Sequence, residues 1–200
     1  MTDRDFFAVA GRQRACRAFS DVLVEDDAIA ALIAAATHAP SAENRQPWEF
    51  VVVRDPAVRA AIGDLTRRAW ETYGRAVSEK RLSPQLLAEV DRGATGGVAA
   101  APVNVVVCAD TARGLEATVP SSIFPAVQNL LLAATALGLG SALTTITTSF
   151  RSQLAALCGL PAHVVPVAVV PVGWPARPLG PPRREPFARH THRERYGNEW

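Results

Sequence analysis

Three arginines fall within six residues at Arg12-Gln13-Arg14-Ala15-Cys16-Arg17. A guanidinium presents a planar fork of N–H donors that matches phosphate bidentately, whereas Lys80, the one lysine here, would act as a point charge. The run is a candidate phosphate cradle; a solvated basic turn is its plain alternative. A second segment, Pro40-Ser41-Ala42-Glu43-Asn44-Arg45-Gln46-Pro47, holds short polar side chains between two prolines. Ser41, Asn44 and Gln46 could offer donors and acceptors to a polar ring edge from a stiff backbone, or simply cap a helix. A third, Pro181-Pro182-Arg183-Arg184, presents a basic pair late in the chain, with a solvated tail as the alternative.

No self-sufficient catalytic pattern accompanies these segments. The chain has no GxSxG elbow, no HExxH and no Walker loop. Gly138-Leu139-Gly140 follows an expected helix and precedes an expected strand, the reverse of a dinucleotide fingerprint. The four histidines, His38, His163, His190 and His192, are scattered, and the last two would make at most a weak metal pair. Cys16, Cys108 and Cys158 are far apart, odd in number and without CxxC spacing. They indicate neither a zinc site nor a disulfide framework and read as small apolar fillers in a reducing compartment. An enzyme built on this chain needs a cofactor to carry the hard chemistry.

The elements that must position these residues follow from periodicity. A short helix is expected from Asp3 to Arg12, ending near Gly11, and a stronger one from Glu25 to His38, closed by Pro40. Phe50–Val53 reads as a buried strand, and Asp55-Pro56 as an N-cap opening a helix toward Tyr73. Gly74 to Ala101 is irregular, with a helix from Pro84 to Asp91 and then Gly93-Ala94-Thr95-Gly96-Gly97. It is a candidate lid with glycine hinges, and Trp70 and Tyr73 either line its mouth or pack in the core. A strand is expected at Val103–Ala109 and a loop from Asp110 to Ser122. The best helix then runs from Phe124 to Leu137, stopped by Gly138. Ser141–Ile146 reads as a strand and Ser149–Cys158 as a helix capped by Ser149. Val164–Val172 reads as a strand that Pro166 and Pro171 confine to an edge. The tail from Trp174 has no apolar period and must lie against something.

At 200 residues the chain suits one domain, 1–200, with a sizeable core. Its hydrophobic share of 48% and charged share of 20% argue against global disorder. A formal charge of +2 with interspersed signs gives no electrostatic footprint for nucleic acid or an anionic membrane. Acids at Asp3 and Asp5 do not suit a signal peptide. The longest apolar stretch, Leu130 to Leu143, is interrupted and short of the roughly 20 residues of a span. A cytoplasmic protein is the expectation.

Taken in order, these segments resemble the nitroreductase family. Members commonly carry Arg-Arg-Ser-x-Arg-x-Phe, here Gln13-Arg14-Ala15-Cys16-Arg17-Ala18-Phe19. They continue with Ala-Pro-Ser-x-x-Asn-x-Gln-Pro-Trp-x-Phe, matched by Ala39, Pro40, Ser41, Asn44, Gln46, Pro47, Trp48 and Phe50. Gln128-Asn129-Leu130, Leu137-Gly138-Leu139-Gly140-Ser141 and Val172-Gly173-Trp174-Pro175 followed by a late Arg complete the likeness. The resemblance implies an α+β fold, a three-layer α/β/α sandwich on a mostly antiparallel sheet. It also implies an intertwined homodimer with FMN sites between the subunits and with 174–200 as an arm on the partner. Gln13, Arg14, Ala15 and Arg17 would lie at the FMN phosphate and ribityl chain, joined by Arg183 or Arg184. Pro40, Ser41 and Asn44 would reach the flavin from the partner subunit, and Thr145-Ile146 would offer a backbone N–H near flavin N5 or O4. Gln13 and Ala15 depart from the pattern, removing one charge and one hydroxyl from the phosphate end.

The activity so implied moves hydride from NADH or NADPH through flavin N5 to a small organic acceptor, such as a nitroaromatic or quinone, by a ping-pong mechanism. The flavin carries the chemistry, so no side chain is named as catalytic and no metal is invoked. Dehalogenation, enone reduction or flavin breakdown in the same fold, a non-catalytic FMN-binding protein and an apo structural dimer are the alternatives.

Overall fold

The computed structural model describes residues 6–200; the first helix, α1, spans Phe6–Arg12, and Asp3–Asp5 of its expected range lie outside the described residues. Runs of β-branched side chains form the middle of a four-stranded antiparallel sheet in the order β1-β2-β4-β3. The strands are β1 (Trp48–Val53), β2 (Val103–Asp110), β3 (Gly140–Ser141) and β4 (Val164–Gly173). Every residue of β2 is buried, because helices cover both faces of the sheet. Val103, Val105 and Val107 meet α2 (Asp26–Thr37) and α7 (Val119–Ala136) through Leu32, Ile123 and Leu130. Val106 and Cys108, pointing the other way, meet Ile62, Leu65 and Leu154 of α3 (Pro56–Ala69) and of Arg151–Leu157, the last helix. The result is the expected three-layer α/β/α sandwich.

Local chemistry accounts for most element boundaries. Asp55 Oδ1 accepts from the Ala57 and Val58 N–H groups, each at 2.9 Å, and Pro56 occupies the first turn of α3. Asp26 and Asp27 sit in the first turn of α2, where the helix dipole favours them. Gly138, at φ +81°, turns the chain out of α7 in a conformation that L side chains rarely adopt. The helix over 116–136 is long and apolar enough, by composition, to cross a membrane. Its Ile123, Val127 and Leu130 side chains instead fill the core.

Four expectations are corrected. β4 is not an edge strand: it lies between β2 and β3. Pro166 falls where the β2–β4 register shifts, and Pro171 lies on the side of the short β3 edge, where its carbonyl still accepts from Ala142 N–H at 3.3 Å. The strand expected at Ser141–Ile146 shrinks to Gly140–Ser141 plus one bridge from Thr144 to Val169, because a 3-10 turn begins at Ile146. The helix expected from Ser149 begins at Arg151 with Phe150 as N-cap; the Ser149 hydroxyl is engaged by the Tyr73 hydroxyl instead. Helix α7 begins at Val119, five residues early, since Pro120 suits its first turn.

The stretch 70–101 is also more regular than its glycines suggested. Helix α3 continues through a π-type turn, Trp70–Gly74, into α4 (Arg75–Glu79); α5 (Pro84–Arg92) continues through a second, Gly93–Gly97, into α6 (Val98–Ala100). Gly93 and Gly97 are contact points rather than hinges. A Cβ on Gly93 would lie 2.7 Å from Arg17 Cδ, and one on Gly97 would collide with the Arg17 carbonyl oxygen. Gly97→Ala is therefore expected to lower stability by about 1–3 kcal/mol in denaturant unfolding, the usual cost of overpacking. Gly96→Ala, which meets nothing within 4 Å, should be neutral or slightly stabilising, so equal effects from the two would refute the contact.

Candidate functional site

The arginine-rich segment is not a turn. Residues 14–19 run extended along the edge of β3 and the end of β4. Cys16 N–H donates to Ser141 O at 2.9 Å, and Ala15 bridges Ser141 in parallel. Ser20 N–H reaches Trp174 O at 2.9 Å, while Ala176 N–H returns to Ala18 O at 3.0 Å. Backbone pairing thus fixes the segment, and the side chains are free to face outward or inward. Cys16 points in and is buried; its thiol donates to Ala18 O at 3.2 Å, and burial pushes it above its ordinary pKa.

Arg17 lies between two spaces. On one side is a cavity of about 230 Å³, walled by Thr66, Trp70, Gly93, Gly97 and the stretch Ala142–Ile146. On the other are two grooves of about 490 and 860 Å³, also lined by Arg14 and Ala15. The larger also takes in Gln13, Pro182, Arg183 and Arg184, and its volume lies in the range of small-ligand sites. Burial pushes the Arg17 guanidinium below its ordinary value, because desolvation disfavours the charged form.

The cavity's far wall is held by polar contacts. Buried Thr66 donates its hydroxyl to Ile62 O at 2.9 Å and meets the Thr147 hydroxyl at 2.8 Å, anchoring the 3-10 turn that follows Thr145. Among the described residues, neither the Thr145 nor the Ile146 N–H has a hydrogen-bond acceptor. Trp70 is both core and cavity wall, and its indole N–H donates to Asp91 at 3.0 Å, tying α3 to α5. Tyr73, by contrast, is 44% exposed and belongs to neither.

Six of the expected residues, Gln13, Arg14, Ala15, Arg17, Arg183 and Arg184, therefore line the larger groove, while Thr145 and Ile146 line the cavity that shares Arg17 with it. Pro40, Ser41 and Asn44 line neither the cavity nor the grooves. Their loop is strained and braced. Glu43, Asn44 and Gln46 take positive φ values of 54°, 53° and 50°, costly for non-glycine residues. Ser41 Oγ accepts from Gln46 N–H at 3.0 Å, and Ser122 Oγ accepts from Ala42 N–H at 3.1 Å. Arg113 binds Asp110 at 2.6 Å and pairs with Glu49, while Pro47 O accepts from Asp110 N–H at 2.7 Å.

Glu89, Arg92 and Arg177, lining the smaller groove, had no signal in local sequence. The expected helix from Pro84 to Asp91 included Glu89 and stopped one residue short of Arg92, but the groove exists only once Gly93 and Gly97 have drawn that helix onto Arg17.

Residues 10–174 match the Nitroreductase family. The chain is 30% identical to an NADH dehydrogenase of Thermus thermophilus over 92% of this chain and 94% of that protein. It is 33% identical to a 5,6-dimethylbenzimidazole synthase of Rhodospirillum rubrum, over 82% and 78% respectively. A Desulfovibrio desulfuricans protein described as a nitroreductase, solved in complex with FMN, superposes with a TM-score of 0.74 at 25% identity, covering 98% of this chain and 99% of that one. With the family matched over 10–174, most of its length, the chain belongs to the Nitroreductase family.

Proposed function

We propose that the chain is an FMN-dependent oxidoreductase that uses NADH or NADPH to reduce a small organic acceptor such as a nitroaromatic or a quinone. The observation that carries this reading is the convergence of Arg14, Arg17, Arg183 and Arg184 on one groove beside the cavity at Thr145-Ile146. The donor set fits a flavin mononucleotide: guanidinium forks suit its phosphate, and two unpaired backbone N–H groups suit the acceptor edge of its ring. When bound, FMN supplies a ring that takes hydride from the nicotinamide and passes it to the acceptor.

The chain's own residues position and screen that exchange. Arg14 and Arg17, with Arg183 or Arg184, hold the phosphate and ribityl chain, with Gln13 and Ala15 beside them. Thr145 and Ile146 donate to the ring edge, where charge on the reduced form is stabilised. Pro40, Ser41 and Asn44 lie away from this groove within one chain, which supports a homodimer in which the loop of the partner subunit completes each site. The tail 174–200 is read as an arm on that partner, and residues 1–200 as one domain of a cytoplasmic protein without nucleic-acid or membrane partners. A second reading, another flavin reaction in the same fold, is favoured by the 33% identity to a 5,6-dimethylbenzimidazole synthase.

Purified protein should carry flavin absorbance, and anaerobic NADH or NADPH should bleach it; nitroaromatic or quinone acceptors should then restore the colour. Flavin that no nicotinamide reduces would leave a binding protein, and a colourless chain that takes up no FMN would overturn both readings. Arg14→Ala and Arg17→Ala should each weaken FMN binding about 10- to 100-fold, the equivalent of about 1.5–3 kcal/mol for a hydrogen bond to a charged group. Unchanged titrations with both variants would remove the phosphate assignment. Deleting the chain after Trp174 should shift the dimer toward monomer on light scattering and release flavin with it; an intact dimer would refute the arm.

A further inference from the structure

Among the described residues, the arginine grooves contain one acidic side chain. Six arginines line one or both of them, namely Arg14, Arg17, Arg92, Arg177, Arg183 and Arg184. Glu89 is the one carboxylate among the described lining residues, and it borders both grooves. Helix α5 puts it there: Ser83 caps the helix by accepting from Leu86 N–H at 3.3 Å, and Gly93 N–H closes its far end on Glu89 O. Glu89 Oε2 lies 3.7 Å from one Arg14 terminal nitrogen, while the other donates to Gly180 O at 3.2 Å. Both side chains of the ion pair are about one-third exposed, so a ligand from solvent can reach them. The same carboxylate is the strongest influence opposing the effect of burial on the Arg17 guanidinium.

A carboxylate inside a phosphate cradle does two things. It keeps guanidinium forks ordered when no ligand is present, and it repels a phosphate that seeks the same forks. At 3.7 Å the Arg14–Glu89 pair is looser than a bidentate contact, as suits an ion pair that must open.

We propose that Glu89 is a specificity-determining residue of this site, an internal anion that competes with the ligand's phosphate for Arg14 and Arg17. It rests on the reading of the grooves as an FMN site. Glu89 lowers the affinity for phosphorylated flavin while leaving the uncharged flavin head untouched. It thereby narrows the preference for FMN over riboflavin and makes bound FMN exchangeable rather than permanently held.

Glu89→Gln keeps size and shape and removes the charge. Full-length protein carrying it should bind FMN about tenfold more tightly than wild type, with riboflavin affinity unchanged within about twofold. Glu79→Gln, which changes net charge equally from outside both grooves, should leave both affinities as they were. FMN affinity that is unchanged or weaker in Glu89→Gln, or a gain that Glu79→Gln reproduces, would overturn the proposal. A parallel arm uses inorganic phosphate alone and reads the rise in melting temperature, which should be larger for Glu89→Gln than for wild type. A chain that binds no flavin yet shows this phosphate difference refutes the FMN reading and upholds the competitor. Equal phosphate protection in the two proteins refutes the competitor, whatever flavin does.

Discussion

Guanidinium groups resist burial, and this chain lays one against the wall of an apolar cavity. The burial of Arg17 is the constraint on which the rest of the site depends. Its backbone belongs to an extended segment hydrogen-bonded to Ser141 on one side and to the start of the tail on the other. Its side chain runs along a helix that can come close only because Gly93 and Gly97 lack a Cβ. Glu89, on that same helix and paired with the neighbouring Arg14, opposes the effect of burial on its guanidinium. The sheet edge, the second π-type turn and the acidic residue of α5 are thus three parts of one solution to desolvation.

The braced loop before β1 solves a different problem. Three residues with positive φ store strain, and the Ser41, Ser122 and Arg113 contacts hold the backbone in that state. A surface loop that merely connects α2 to β1 has no need of such bracing. Strain of this kind persists where surrounding structure over-determines it, commonly at binding sites. The loop and the arginine grooves lie apart within one chain.

The sandwich was largely legible because its cause is local. Asp55-Pro56, the apolar run in Val103–Ala109 and the helical spacing of Ile29 and Leu32 each report an element that burial then stabilises. Where expectation and structure parted, a tertiary contact had overridden a local signal. Pro171 reads as a mark of an edge strand, yet its missing N–H faces a neighbour two residues long. Glycines at 93 and 97 read as hinges, yet they are where a helix and Arg17 approach most closely. Ser149 reads as a cap, yet Tyr73 engages its hydroxyl.

The sequence by itself determined which arginine and short polar side chains this protein has in its motif segments, and which elements carry them. Residue type and short-range spacing decide both, and neither needs a neighbour distant in the chain. Only the tertiary structure decided that Arg14, Arg17, Arg183 and Arg184 share a groove and that Thr145 and Ile146 stand at the adjoining cavity. It also decided that Glu89 sits among the arginines. Those facts depend on pairings across more than a hundred residues, such as Cys16 with Ser141 and Arg14 with Gly180, and no local pattern encodes which distant backbone a strand will meet.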